Sequence, residues 1–299
     1  MKRKINLVGT GTLTISLPSS WVKKNNLQKG EELEITEKNN ELILSSEKKN
    51  EEKKEITIDI PSSTNFSRRF IQVPYIQGYD VIKFTSNDPK VFQKIEENMY
   101  TVIGFEIVEQ GKGYCIVENI TKQKGEDFEK IFFRLFNLVF TVNEYLIEGM
   151  RKDNKESYKL MIQIEDLANK LDLFCRRLIN LQETNQIQVA ASYYFLTRSL
   201  EGITDIYEDI AKKIKFNRIV NKDFFISILV SFGEMLQAIR ESKSETWSNN
   251  IGKFKKKYHE IEIKLDIESA KNKEEVELMG YLYAILRYIH GLSEEGFML

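Results

Sequence analysis

The stretch LMIQIEDLANKLDLFCRRLINL, residues 160–181, sets the period that decides the fold. Leu160, Ile164, Leu167, Leu171, Phe174, Leu178 and Leu181 recur at 4-3-4-3-4-3 spacing, the apolar stripe of an amphipathic helix. The same rule holds on either side. Upstream run Phe128, Phe132, Leu135, Val139, Val142 and Leu146; downstream run Leu196, Leu200, Ile203, Tyr207, Ile210 and Ile214. Further stripes are Phe225–Ile228–Phe232–Met235–Ile239, then Trp247–Ile251–Phe254–Tyr258–Ile261–Leu265, then Leu278–Leu282–Ile285–Ile289–Leu292. Six such helices predict an all-α region over residues 122–299, one bundle or two three-helix bundles in series. Aromatic residues at this spacing are core packing, not a cofactor box. All four prolines, Pro18, Pro61, Pro74 and Pro89, precede this region, so no proline interrupts a helix within it.

Outward toward the N-terminus the period changes. Residues 56–121 alternate strand and helix signals: strands near Ile56–Ile60 and Val81–Phe84, a helical turn or helix over Phe66–Gly78 and a helix over Pro89–Tyr100. A hairpin over Phe105–Val108 and Tyr114–Glu118, turning through Gly111 and Gly113, completes a small α/β unit. Residues 47–55 hold no apolar side chain until Ile56 and read as a solvated, charged linker. Residues 1–46 alternate apolar and polar positions around Gly9, Gly11 and Asn39-Asn40, with a short helix starting at Pro18. The fold class is therefore multidomain α+β. About 46 residues bury too little apolar surface to be stable alone, so this first unit is expected to need a partner chain.

The 299-residue chain carries 44 Lys+Arg against 45 Asp+Glu, for a net charge of -1, with 30% charged and 41% hydrophobic residues. That balance excludes a disordered or membrane-spanning class. No apolar run approaches the roughly 18–20 residues a bilayer crossing needs. The alternating opening reads as strand, not signal peptide. Cys115 and Cys175 are far apart, which excludes a zinc ribbon and a disulfide framework and suits a reducing cytoplasm. His259 and His290 have no nucleophile beside them, and no phosphate-binding loop, dinucleotide fingerprint or zinc-protease motif is present. An enzyme is not expected. His259, following Lys255, Lys256 and Lys257, reads as a surface residue.

Two features point to binding instead. Lys2, Arg3, Lys4, Lys23, Lys24 and Lys29 give six positive charges before the first acid, Glu31. A dimer doubles that number on one surface, and phosphate neutralisation is what gives nucleic-acid binding its affinity. The second feature is a carboxylate row: Glu201, Asp205 and Glu208, with Asp209 beside them, nearly opposite the Leu200–Ile203–Tyr207 stripe. Glu165 and Asp172 lie opposite their own helix's stripe, with Asn169 between them. Such rows are either wetted helix faces or, if two helices bring them together, oxygen ligands for a cation.

The segment LTISLPSSWVKKNNLQKGEELEIT, residues 13–36, resembles the SpoVT/AbrB domain. The resemblance implies a swapped-hairpin homodimer that binds duplex DNA through Lys2, Arg3, Lys4, Lys23 and Lys24. Members of that family often present arginine at the first hairpin turn; Thr10 stands there in this sequence. Contacts to the phosphate backbone are thus expected more than base readout.

LEGITDIYEDIA, residues 200–211, and EDLANKLDLFCRR, residues 165–177, resemble the acidic segments of PhoU-type phosphate-uptake regulators. ILRYIHGLSEEG, residues 285–296, is similar to the corresponding segment of their second repeat, with His290 where an aspartate is expected. That family folds as two three-helix bundles and binds metal clusters on its acidic pairs. Here Glu201 and Asp205 keep one pair, whereas Asn169 and His290 alter two others. The resemblance implies at most one weakly held divalent ion, on Glu201, Asp205, Glu208, Asp209 and Glu165. The whole chain is similar to archaeal-type phosphate regulators that join the two domains, which implies a cytoplasmic, dimeric, DNA-binding regulator. The alternative is a dimeric scaffold that binds no DNA and docks onto a phosphate transporter or signalling protein. A metal-dependent hydrolase is disfavoured because the acidic rows lack a base.

Overall fold

A computed structural model describes residues 2–38, 41–46, 53–121, 128–181, 189–242, 247–265 and 270–296. The chain divides into two compact units, Met1–Lys53 and Lys54–Leu299.

The first unit holds two antiparallel hairpins and one short helix. Strand β1 (Ile5–Val8) pairs with β2 (Thr12–Ile15), setting Leu7 opposite Leu13 and Ile5 opposite Ile15. Gly9 closes the turn at φ +66°, where a side chain would be strained. Helix α1 (Ser19–Lys24) follows Pro18, and Asn25 Nδ2 ends it by donating to the Trp21 carbonyl at 2.8 Å. Strands β3 (Leu33–Lys38) and β4 (Glu41–Ser46) form the second hairpin, with Ile35 opposite Leu44. The expected turn at Asn39-Asn40 and residues 47–52 of the charged run lie outside the described residues. None of the described side chains in this unit is buried: Ile5, Leu7 and Leu13 are each 67% exposed and Leu42 69%. The apolar alternation read from the sequence is present, but among the described residues of this unit it is left uncovered.

The second unit begins with β5 (Glu55–Asp59), which takes up the last residue of the charged run. Helix α2 (Arg69–Ile76) connects it to a parallel neighbour, β6 (Val81–Thr85). Helix α3 (Pro89–Asn98) starts on Asp88, whose carboxylate accepts from Lys90 N at 3.0 Å, with proline in the first turn. Strands β7 (Phe105–Gly111) and β8 (Tyr114–Asn119) close a four-stranded sheet of order β5-β6-β8-β7. Ile60, Ile71, Ile82, Phe84, Ile95 and Val117 fill the space between sheet and helices.

Six long helices follow: α4 (Phe128–Lys152), α5 (Lys155–Asn180), α6 (Ala190–Lys213), α7 (Lys222–Arg240), α8 (Trp247–Lys264) and α9 (Lys273–Gly296). α4, α5 and α6 pack as one three-helix bundle and α7, α8 and α9 as another. The bundles also meet along two seams, α4 with α7 and α6 with α9. At the first seam the buried Asn143 of α4 donates Nδ2 to the Leu229 carbonyl at 3.0 Å and accepts the Tyr207 hydroxyl at 2.7 Å. One amide thereby ties α4, α6 and α7 together. The stripes of α4, α6, α7 and α9 are buried as read; the Trp247 side chain in α8 lies outside the described residues.

Helix α5 departs from its reading. Leu160, Ile164 and Leu167 are only half-buried, whereas Met161, Glu165, Ala168, Asp172 and Cys175 face inward. The cause is the number of neighbours: α5 touches α4, α6 and, through its C-terminal half, α2 of the α/β layer. A helix covered on three sides has no single solvent face for a stripe to oppose.

The contact between α5 and the α/β layer is organised by Arg177, which is 1% exposed. Its guanidinium donates to the Tyr75 carbonyl at 2.7 Å, the Tyr79 carbonyl at 2.8 Å and Asp80 Oδ1 at 2.9 Å. The same group lies 5.1 Å from the Tyr75 ring centroid and 4.9 Å from that of Phe105. The spacer expected between two separate domains is thus fastened into the helical region by a buried charge.

A second buried charge caps α9. Glu275, 0% exposed, accepts from Val220 N at 2.8 Å, Asn221 N at 2.9 Å and Lys271 N at 2.6 Å, while Asn272 Oδ1 accepts from Glu275 N. Burial pushes this carboxyl up, but the backbone donors outweigh it and hold the group below its usual range. A depressed folded-state value stabilises the fold fully above the unfolded carboxylate pKa of about 4.3 and loses that contribution as pH falls from there through the lower folded-state value. Glu275→Gln is therefore expected to cost about 2 kcal/mol at pH 7. In urea titrations its deficit against wild type should shrink below pH 4; a deficit independent of pH would assign the loss to packing instead.

Candidate nucleic-acid interface and acidic helix pair

Lys2, Arg3 and Lys4 lead into β1, Thr10 occupies the β1–β2 turn, and Lys23 and Lys24 form the last turn of α1. All six are exposed. Trp21 and Val22 turn partly inward, so the helix presents its two lysines to solvent, where they also complement its C-terminal dipole. The positive groups expected to meet phosphate are thus accessible, on a unit whose apolar side chains are accessible too.

The carboxylates are arranged differently from their reading. Glu201 does not face water: it is 6% exposed, and Glu165 and Asp172 are 7% and 1% exposed. The row expected to lie outward is turned into the α5–α6 contact, because α6 is packed by α4, α5 and α9 at once. Asp205 is exposed at the rim and Glu208 half-exposed beside it. Asp209 turns away and pairs with Lys213 at 2.9 Å.

Two groups form along the contact. In one, Arg198 pairs with Glu201 at 2.7 Å and with Asp172 at 3.4 Å, and Arg176 pairs with the same Asp172 oxygen at 2.5 Å. In the other, Glu165 lies beside Asp205 and accepts from the Asn169 amide, while Glu208 pairs with Lys212 at 2.5 Å. Burial, followed by the charges of Glu208, Asp205 and Asp166, raises the Glu165 carboxyl to about 7. Burial, then the charge of Asp205, raises Glu201 to about 7 against the opposing pull of Arg198. Burial also raises Asp205 and Asp172, the latter despite both arginines.

Asn169 therefore turns a donor N–H, not an oxygen, toward the carboxylate beside it. Among the described residues no three His, Cys, Asp or Glu side chains converge as metal ligands would. His290 stands apart on α9, 3.9 Å from Glu294 and with its ring 4.8 Å from that of Tyr258, and His259 is exposed. The sequence reading did not include Arg176, Arg198 or Glu275. Their signals were local: Arg198 lies three residues before Glu201, Arg176 four after Asp172, and Asn272-x-x-Glu275 has capping-box spacing.

Residues 7–53 match the family described as antidote-toxin recognition MazE, bacterial antitoxin, and the match ends where the first compact unit ends. No curated protein matches the chain. The N-terminal unit is MazE/AbrB-like, a domain type that fits a DNA-binding regulator. Among the described residues no helix is long and apolar enough to cross a membrane.

Proposed function

We propose that the protein is a homodimeric, cytoplasmic, DNA-binding regulator of phosphate uptake or homeostasis. The observation that carries this reading is the pairing, in one unit, of uncovered apolar strands with exposed lysines and Arg3. A second copy of the same unit would cover the strands and double the charge, and residues 7–53 are of a type suited to that arrangement. Contact with the phosphate backbone accounts for Lys2, Arg3, Lys4, Lys23 and Lys24; Thr10 supplies at most a hydroxyl at the turn.

The helical region serves in this reading as a PhoU-like sensor or docking module. What supports it is the likeness of residues 165–177 and 200–211 to the acidic segments of that family, together with six helices in two bundles. Sedimentation of the first 46 residues is expected to show a folded dimer at micromolar concentration; a folded monomer would remove the basis for the assembly. Full-length protein should shift duplex DNA, with affinity falling steeply as salt rises. The scaffold reading is favoured by one feature, the absence of a basic residue at the Gly9-Thr10-Gly11 turn, and predicts no shift at any salt.

A further inference from the structure

We propose that the cation of the α5–α6 carboxylate cluster is the guanidinium of Arg198, standing where a divalent metal would otherwise be required. The inference is independent of DNA binding and goes beyond the regulatory reading. It begins from charge. Glu165, Asp172, Glu201, Asp205 and Glu208 line the contact, and closing a helix pair over that many ionised carboxylates is costly unless positive charge lies between them.

Arg198 supplies it from within the chain. It sits one turn before Glu201 on α6 and reaches both Glu201 and the Asp172 carboxylate of α5, so one planar, permanently charged group bridges the two helices. Arg176 reinforces the Asp172 end from the other side, and Lys212 neutralises Glu208 at the far end. Of the remaining oxygens, those of Glu165 and Asp205 lie beside each other, the Asn169 amide donates to Glu165, and Asp172 Oδ1 is buried without a hydrogen-bond partner.

A magnesium or calcium ion takes roughly six to eight oxygen ligands at about 2.0–2.6 Å. Oxygens spread along the contact beside a resident guanidinium, with no three ligand side chains converging among the described residues, do not offer that set. The donor chemistry therefore does not suit the metal centre that the PhoU resemblance implies. It describes a salt-linked clasp that forms as the chain folds and needs no ion from solution.

Removing the arginine should convert the clasp into what it replaces. Asp172 and Glu201 would then keep only Arg176 as a strong cation, and a hard divalent ion would gain the place the guanidinium held between them. The test uses full-length protein purified without chelator. Elemental analysis of the wild type is expected to show less than half an equivalent of any divalent metal. Its Tm should be unchanged by EDTA and by millimolar Mn²⁺ or Ca²⁺. Arg198→Ala is expected to lower Tm by more than about 5 °C, and Mn²⁺ or Ca²⁺ should restore much of that loss. Arg198→Gln/Glu201→Gln, which removes charge from both partners, should recover stability without metal and keep the test decisive if the alanine variant does not fold. A stoichiometric ion in the wild type overturns the proposal. So does an Arg198→Ala protein whose Tm is unchanged, or whose deficit no divalent ion reduces.

Discussion

Replacement of Arg177 by methionine is expected to destabilise the second unit by about 3 kcal/mol. The substitution keeps much of the side-chain volume but strips donors from the Tyr75 and Tyr79 carbonyls and from Asp80. It also leaves the faces of Tyr75 and Phe105 without the cation they enclose. Part of the cost is moderated because Asp80 is 32% exposed and regains water. A change of that size corresponds to a Tm decrease of about 6–12 °C for a unit this large. Arg177→Lys should recover little, since a single ammonium on a flexible stem cannot serve three separated acceptors between two rings. Thermal unfolding followed by circular dichroism checks this. A methionine variant with wild-type Tm would mean that the α2–α5 contact rests on apolar packing alone.

Charge reversal on α1 is expected to have the larger functional effect. Lys23→Glu/Lys24→Glu changes each protomer by four charge units and replaces attraction to phosphate with repulsion. DNA affinity at about 150 mM salt should fall by on the order of a thousandfold, to the point where no shift is seen. The neutral Lys23→Ala/Lys24→Ala variant should retain weaker binding with a shallower dependence of log K on log salt, by about 0.9 for each phosphate no longer neutralised. Both lysines are exposed on α1 and bury nothing, so the fold should be unaffected. Equal affinity of wild type and the glutamate variant would remove α1 from the interface and favour the docking scaffold.

The residues that make these predictions differ in how far the sequence exposed them. Lys23 and Lys24 were legible because a helix start at Pro18 and a stop before Gly30 place them on one short basic helix. Arg177 was visible only as one of two adjacent arginines near the end of a stripe, where a basic residue ordinarily answers the helix dipole in solvent. Its partners are backbone carbonyls and one carboxylate roughly a hundred residues earlier, and no spacing rule reaches that far.

By itself the sequence determined the elements. Alternation at period 2, helical stripes at period 3.6, and the positions of glycine and proline are local constraints, so hairpins, α/β unit and six helices follow from neighbouring residues alone. Its length also implied that residues 1–46 bury too little apolar surface to be stable alone. Only the tertiary structure decided which faces became interior. Periodicity assumes one buried side per helix, and α4, α7 and α9 satisfy it in the positions read. Helices α5 and α6 are enclosed from several directions, so Glu165, Asp172 and Glu201, opposite an apolar stripe, enter a second contact instead of water. Desolvation there is costly for a carboxylate unless a positive charge is brought with it. That requirement, absent from any single helix, is what gives Arg198 and Arg176 their places.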